Sequence, residues 1–390
     1  MKKFFILLMA ITLQQIYAQY PIGNRSITLT DSSRSNRSIP IEIYYPAEMA
    51  GTNTFPALGI YPLITIGHGF VMGIDAYYNF KDTLVPQGYV IVLVNTETSL
   101  SPVHLEFAKD LLFVNNQIKQ RAANDPAFFL HQFLNGKSCI MGHSMGGGST
   151  FLAGSLAQPN EVDCIAGFAP AETNPGAIAA STQFDLPLIV FSGSSDGVTP
   201  PNQHHIPMYD SSASTCKYFV DIIGGAHCYF ARTNIACDFG ETLSSMGITI
   251  SRDEQQGTTF QVLKPWLAYY LKNDVNGLNN LNSLLQSSSA TNYQSICTSF
   301  LGVEEQGNWL TNIFWEINNR NLTIHFKKSI KGASLAYNIQ NLTGQTVTKK
   351  HPPIKESETV VENLDTLSPG LYVLTFELGK KSKTVKFQLR

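Results

Sequence analysis

Between about Asn24 and Ser299, short apolar runs alternate with longer stretches of mixed polar and apolar residues. The short runs predict strands at Ser26–Thr30, Ile41–Tyr45, Leu63–Ile66, Tyr89–Val94, Ser138–Met141, Asp163–Phe168, Leu186–Phe191 and Lys217–Ile223. The inner ones are almost continuously apolar, as strands buried on both faces must be. The longer stretches predict helices at Val103–Arg121, Pro126–Leu134, Met145–Ala157 and Phe260–Asn273. Strand-then-helix alternation implies an α/β fold, with a mostly parallel sheet covered by helices on both faces.

After Cys297 the pattern changes. Residues 303–308 read as a polar linker, and alternation at Leu322–Phe326, Leu371–Phe376 and Lys383–Leu389, with a turn at Asn341–Gly344, predicts a small all-β sandwich over residues 309–390. At the other end, Lys2 and Lys3 precede a short apolar run from Phe4 to Leu13, and Ala18 offers a cleavage point. That is the layout of a secretory leader over residues 1–18, with the mature chain starting near Gln19 or Tyr20. The catalytic part is expected over residues 19–302. Outside the leader no stretch approaches the apolar length of a membrane span, so stable membrane insertion is not expected.

Composition adds limits. The 390 residues suit two domains, and 43% hydrophobic against 14% charged residues describes a packed globular chain. A net charge of −2 gives no basic stripe for nucleic acid. None of the six cysteines forms a CxxC pair, so a metal site is not expected, and disulfides suit an exported protein. Cys139 and Cys164, in apolar runs, read as buried free thiols, while Cys237 and Cys297 flank the last predicted helix and are the first pair to consider.

The chemistry centres on Gly142-His143-Ser144-Met145-Gly146, directly after an apolar run and directly before a helical one. A serine nucleophile at a strained strand-to-helix turn needs small residues on both sides, and the turn exposes Oγ at a helix N-terminus. Serine also needs a base and an orienting acid, which in this arrangement follow in the order acid, then histidine. His227, after a strand and a glycine pair, is the expected base. Asp196, in the loop after Leu186–Phe191, is the expected acid. His204 and His205 are rivals by type but are expected on a surface segment, and Asp210 and Asp221 fit the acid's place less well. The N–H of Met145 and that of Phe70, after Leu63–Ile66, are the expected oxyanion donors. Phe70, His143, Met145, Glu172 and Val198 are expected to line the substrate cleft. No cofactor is needed, and a monomer is expected.

Gly142–Gly148, His68-Gly69-Phe70, Leu186–Phe191, Ile206-Pro207-Met208-Tyr209 and Gly224–His227 together resemble the cutinase-like polyester hydrolases, including poly(ethylene terephthalate) hydrolases, of the α/β-hydrolase superfamily. The opening Asp31–Arg34 and Ile39–Pro46 is similar to chlorophyllase and platelet-activating-factor acetylhydrolase relatives. The resemblance spans about Ser26 to Cys297. It implies a secreted ester hydrolase acting on polyesters, with lipase or short-chain carboxylesterase activity as the alternative and a non-catalytic binding protein as a rival. Carried over by position, Ser144, Asp196 and His227 match the triad, and Phe70 and Met145 match the oxyanion and aromatic-clamp positions. One departure stands out: the family's ring-stacking tryptophan is missing from Ala169–Pro175, and Trp266, Trp309 and Trp315 lie elsewhere. Ser368–Val373 and the closing Lys-Thr-Val-Lys-Phe resemble a type IX secretion sorting domain. That implies export to the cell surface or beyond, with the secretion machinery as partner.

Overall fold

The apolar runs fold as strands of one ten-stranded sheet. In chain order these are β1 (Ile22–Asp31), β2 (Arg37–Pro46), β3 (Gly51–Thr52), β4 (Tyr61–Gly67), β5 (Val90–Val94), β6 (Leu134–His143), β7 (Cys164–Phe168), β8 (Leu188–Gly193), β9 (Cys216–Ile222) and β10 (Thr291–Cys297). The helices are α1 (Tyr78–Leu84), α2 (His104–Asn124), α3 (Met145–Leu156), α4 (Ala177–Ser181), α5 (His205–Ser211), α6 (Ile235–Ser244), α7 (Arg252–Lys272) and α8 (Gly277–Ser287). The computed structural model describes residues 19–297, 313–318, 321–326, 335–341, 345–350, 359–368, 370–378 and 381–389. The expected leader, the expected linker and residues 342–344 of the expected turn lie outside them.

Strand order is β10-β9-β8-β7-β6-β4-β5-β2-β1-β3. Strands β4 to β9 run parallel, and β1, β2 and β10 pair antiparallel at the flanks. Every residue of β4, β5, β7 and β8 is buried, because two apolar layers cover the sheet. This is the α/β-hydrolase fold. The chain winds outward from β4 to β5, then crosses back to lay β6 on the other side of β4. At such a reversal the loops after the two strands diverge and leave a crevice at their C-terminal ends. Gly67 of β4 stands beside Gly142 of β6, so the loops carrying Phe70 and Ser144 leave the sheet side by side.

Four expectations are corrected. Residues 126–133 form successive four-residue turns rather than a helix, with Gln132 in the left-handed region at φ 65°. The predicted Phe260–Asn273 helix starts earlier, at a capping box in which Ser251 and Glu254 satisfy each other's backbone N–H groups. Cys237 does not pair with Cys297. Cys297 lies opposite Cys216 in the β9–β10 register and is bonded to it, while Cys237 on α6 is bonded to Cys228, nine residues earlier. His205 is not on the surface, because the start of α5 turns it fully into the interior. Cys139 and Cys164 are buried free thiols, side by side on β6 and β7.

The chain divides into two units, Met1–Cys297 and Thr298–Arg390. The second contains β11 (Ile313–Asn318), β12 (Asn321–Phe326), β13 (Leu335–Asn341), β14 (Thr346–Lys350), β15 (Thr359–Asn363), β16 (Gly370–Leu378) and β17 (Lys381–Leu389). They form two antiparallel sheets, β11-β12-β15 and β14-β13-β16-β17. Leu322, Tyr337, Ile339, Leu374 and Tyr372 supply buried side chains.

Candidate active site

Ser144 sits between the last residue of β6 and the first of α3, with φ 55° and ψ −120°. A non-glycine residue there is strained by about 1–3 kcal/mol, and surrounding contacts must hold it. They do so through backbone bonds: Ser144 N–H donates to Phe168 C=O at 3.0 Å, and its own C=O accepts from Gly148 and Ala171. The glycines permit the approach. A Cβ on Gly142 would lie 2.2 Å from Gly146 O, and one on Gly146 would lie 2.3 Å from Gly67 O. Met145 opens α3, so its N–H has no acceptor one turn back in the helix. Ser144 is 9% exposed.

Asp196 and His227 meet at 2.8 Å, Oδ2 to Nδ1, both buried. Burial is the largest influence on the Asp196 carboxyl and pushes it up. His227 and the Thr199 N–H outweigh it and hold the group below its ordinary range. The ionised carboxylate only accepts, so Nδ1 of His227 carries a proton toward it. Asp196 is itself fixed: Oδ1 accepts the N–H groups of Val198 and Thr199, and Oδ2 accepts the Thr199 hydroxyl at 3.0 Å. Thr199 Oγ1 also lies 2.9 Å from His227 Nδ1 and 3.0 Å from His205 Nε2. The other nitrogen of His205 reaches Ser192 Oγ at 3.0 Å. Burial pushes His205 down to about 3, so it stays neutral beside the acid.

The elbow and the histidine loop are joined by the residue before the serine. His143 Nε2 lies 3.0 Å from the His227 carbonyl, which only accepts, so this nitrogen bears the proton. Nδ1 therefore accepts from the Tyr77 hydroxyl at 2.8 Å. Tyr77 in turn accepts the Gly69 N–H at 2.7 Å, one residue before Phe70. Buried Tyr77 and His143 thus tie together the loop after β4, the elbow and the His227 loop. Burial holds His143 well below the ordinary histidine range, keeping it neutral.

This corrects the expected cleft lining. His143 is fully buried and presents no surface to a ligand. Glu172 points its carboxylate at the Ile178 N–H, 3.0 Å away in the first turn of α4, while its own N–H donates to His204 Nδ1. Met145 is buried at its side chain, whereas Phe70 is 48% and Val198 37% exposed. Ala169, at φ 42°, is buried, and Trp266 lies wholly inside the core on α7.

The sequence did not point to Glu241. It is the one buried residue of α6, and its carboxylate accepts the N–H groups of His227 at 3.0 Å and Cys228 at 2.6 Å. Ser245 Oγ donates to it at 2.6 Å and accepts the Gly197 N–H at 2.8 Å, so one carboxylate spans the histidine loop and the acid loop. Spacing along the chain did not set it apart, because α6 carries a second carboxylate, Asp238, and only the fold turns Glu241 inward.

A family model described as PET hydrolase-like matches residues 21–254, and one described as a secretion system C-terminal sorting domain matches residues 318–390. Relatives include Cutinase est1 of Thermobifida alba, 24% identical over 47% of this chain and 56% of that protein. Cutinase 1 of Thermobifida cellulosilytica is 24% identical over 47% of this chain and 64% of its own length. The cutinase of Thermobifida fusca is 24% identical over 47% and 56% respectively. The chain thus spans little more than half the length of the curated relatives it matches. With the family model covering more than half of the chain, on the same fold and across the elbow and both partner loops, this protein belongs to the PET hydrolase-like family and carries a secretion system C-terminal sorting domain.

Proposed function

We propose that this chain is a secreted serine esterase that hydrolyses carboxylic esters, with polyesters as its substrate class. The observation that carries the reading is a strained serine at φ 55° on an elbow that is hydrogen-bonded, through His143, to the backbone of an Asp196-oriented histidine. In this reading His227 Nε2 takes the proton from Ser144 Oγ, which attacks the ester carbonyl. Oxyanion charge is met by the N–H groups of Met145 and Phe70. His227 then protonates the departing alcohol, and water repeats the cycle to release the acid. Phe70 and Val198, both partly exposed, offer the apolar walls of the cleft. Residues 19–302 form the hydrolase and residues 309–390 the sorting domain, which addresses it to the secretion machinery. The polymer assignment is supported by the family and by relatives named cutinases.

A second reading is a short-chain carboxylesterase. It is favoured by the absence of a tryptophan in residues 169–175, since ring stacking there would contribute roughly 0.5–1.5 kcal/mol beyond burial. The test is a time course of soluble product release from amorphous poly(ethylene terephthalate) film, with p-nitrophenyl butyrate and Ser144→Ala as controls. Release by wild type and not by the mutant supports the polyester reading. Cleavage of the butyrate alone favours the second. Activity on neither removes the hydrolase reading.

A further inference from the structure

Helix α6 is built inside out. Of its ten residues only Glu241 is buried, while Ile235, Phe239 and Leu243 are 89%, 66% and 72% exposed. Spaced four apart, these three share one face. Met246, just past the helix end, is 89% exposed and extends the apolar run. Polar groups do the anchoring instead. Asn234 caps the Cys237 N–H, Asp238 pairs with Arg252 at 2.7 Å, Glu241 holds the histidine loop, and a disulfide joins Cys237 to Cys228. Single exposed apolar residues are ordinary. A contiguous set on a helix pinned by a disulfide, an ion pair and a buried carboxylate marks an interaction surface.

Its place and charge say what it meets. The helix end packs on the acid loop: a Cβ on Gly197 would lie 2.0 Å from Ser244 O, and Val198 follows immediately. That end of the helix therefore adjoins the acid loop. From Thr233 to Ser251 the chain has no lysine, arginine or histidine, and its two carboxylates, Asp238 and Glu241, are engaged in the contacts just named. The cations that flank it, Arg232 and Arg252, are already paired, with Asp82 and Asp238, so an anionic lipid surface would find no free cation along the helix, whereas a neutral apolar phase is matched.

We propose that Ile235, Phe239, Leu243 and Met246 dock the enzyme on the surface of an uncharged, insoluble ester phase, with a solid polyester as the occupant. This rests on the ester-hydrolase reading. The face holds the protein against the solid while the adjoining acid and histidine loops work on chain segments at the cleft. It is separate from the cleft, so molecules in free solution gain nothing from it.

The test compares wild type with Ile235→Ser/Phe239→Ser/Leu243→Ser and with Phe239→Trp, which keeps an apolar ring. Readouts are adsorption to and product release from polyester film, kcat/KM on p-nitrophenyl butyrate, and size in solution. The triple variant is expected to lose about fivefold or more in adsorption and film release and to stay within about twofold on the butyrate, as surface substitutions away from a site do. Phe239→Trp is expected to adsorb at least as well as wild type. Film release unchanged in the triple variant, with the butyrate cleaved, would overturn the docking surface alone. Equal losses on film and butyrate would make the stripe a support of the histidine loop and overturn it too. A wild-type dimer that the triple variant dissociates, or stripe-dependent binding to phosphatidylcholine vesicles without film binding, would assign the face to another occupant. A wild type inert on the butyrate would take down the hydrolase reading first, and this inference with it.

Discussion

Glu241 accepts the backbone N–H of His227 at 3.0 Å, so a residue on a peripheral helix fixes the main chain of the proposed base. The same carboxylate reaches Cys228 and, through Ser245, the loop of Asp196. The loops of Asp196 and His227 are thereby held together by a group that makes no hydrogen bond to the imidazole.

Removing that group should lower turnover more than binding. Glu241→Ala leaves two buried N–H groups without an acceptor, and a displaced histidine reduces proton transfer. We expect kcat on p-nitrophenyl butyrate to fall by about tenfold or more, with KM changed by less than about threefold. Glu241→Gln, which keeps one carbonyl acceptor, should recover part of the loss. Full activity in Glu241→Ala would show that the loop's other ties, the disulfide and the His143 bond among them, hold it without the carboxylate.

The proposed triad gives a graded pattern. Ser144→Ala should reduce turnover by about 10³-fold or more, and Asp196→Asn, which forces the wrong histidine tautomer, by a comparable factor. Circular dichroism should remain native for Ser144→Ala. Substantial activity in either variant would exclude the assigned role.

Stability should decline on the acid side for two linked reasons. Asp196 is held below its unfolded value, so its contribution is complete above about pH 4 and is lost as pH falls through the lower folded value. His205, neutral inside and pushed down to about 3, binds its proton only in the unfolded chain between roughly pH 6.5 and that value. It favours folding fully above that window and progressively less within it as pH drops. Melting temperature should therefore fall from pH 7 to pH 4 through His205, more gently in His205→Gln, and fall further below pH 4 as Asp196 takes up its proton. Parallel slopes would place the linkage elsewhere.

The two disulfides should separate stability from activity. Cys216–Cys297 closes 81 residues and Cys228–Cys237 closes nine, so loop-closure entropy assigns them about 4–5 and 2–3 kcal/mol respectively. Cys216→Ser/Cys297→Ser should lower the melting temperature more. Cys228→Ser/Cys237→Ser, adjoining His227, should lower kcat more. The reverse ranking would mean that α6 does not position the base.

Much of the site was legible because its chemistry is local. The glycines around Ser144, the apolar run before it and the helical run after it specify an elbow over a few residues, and the strand-loop pattern placed Asp196 and His227 at later loops. Where the reading failed, the deciding contact was distant in sequence. Nothing near His205 shows that α5 turns its ring inward against Thr199 and Ser192. Nothing near Cys297 shows that an edge strand sets it opposite Cys216. Residues 126–133 had a helical pattern, but Gln132 in the left-handed region and its bond back to Ala122 favoured turns.

By itself, the sequence determined the parallel α/β sheet, the strand-to-helix turn at Ser144 and the chain order of the proposed triad, because apolar period and glycine placement act through steric rules that need only near neighbours. The tertiary structure decided which buried groups hold those partners. His143 became a tie between the elbow and the His227 loop rather than a wall of the cleft, Glu172 turned to α4, and Glu241 became the clamp of two loops. The physical reason is common to all three. A buried polar group must find its hydrogen-bond partner wherever the fold brings one, and that partner is chosen by packing across the sheet, not by spacing along the chain.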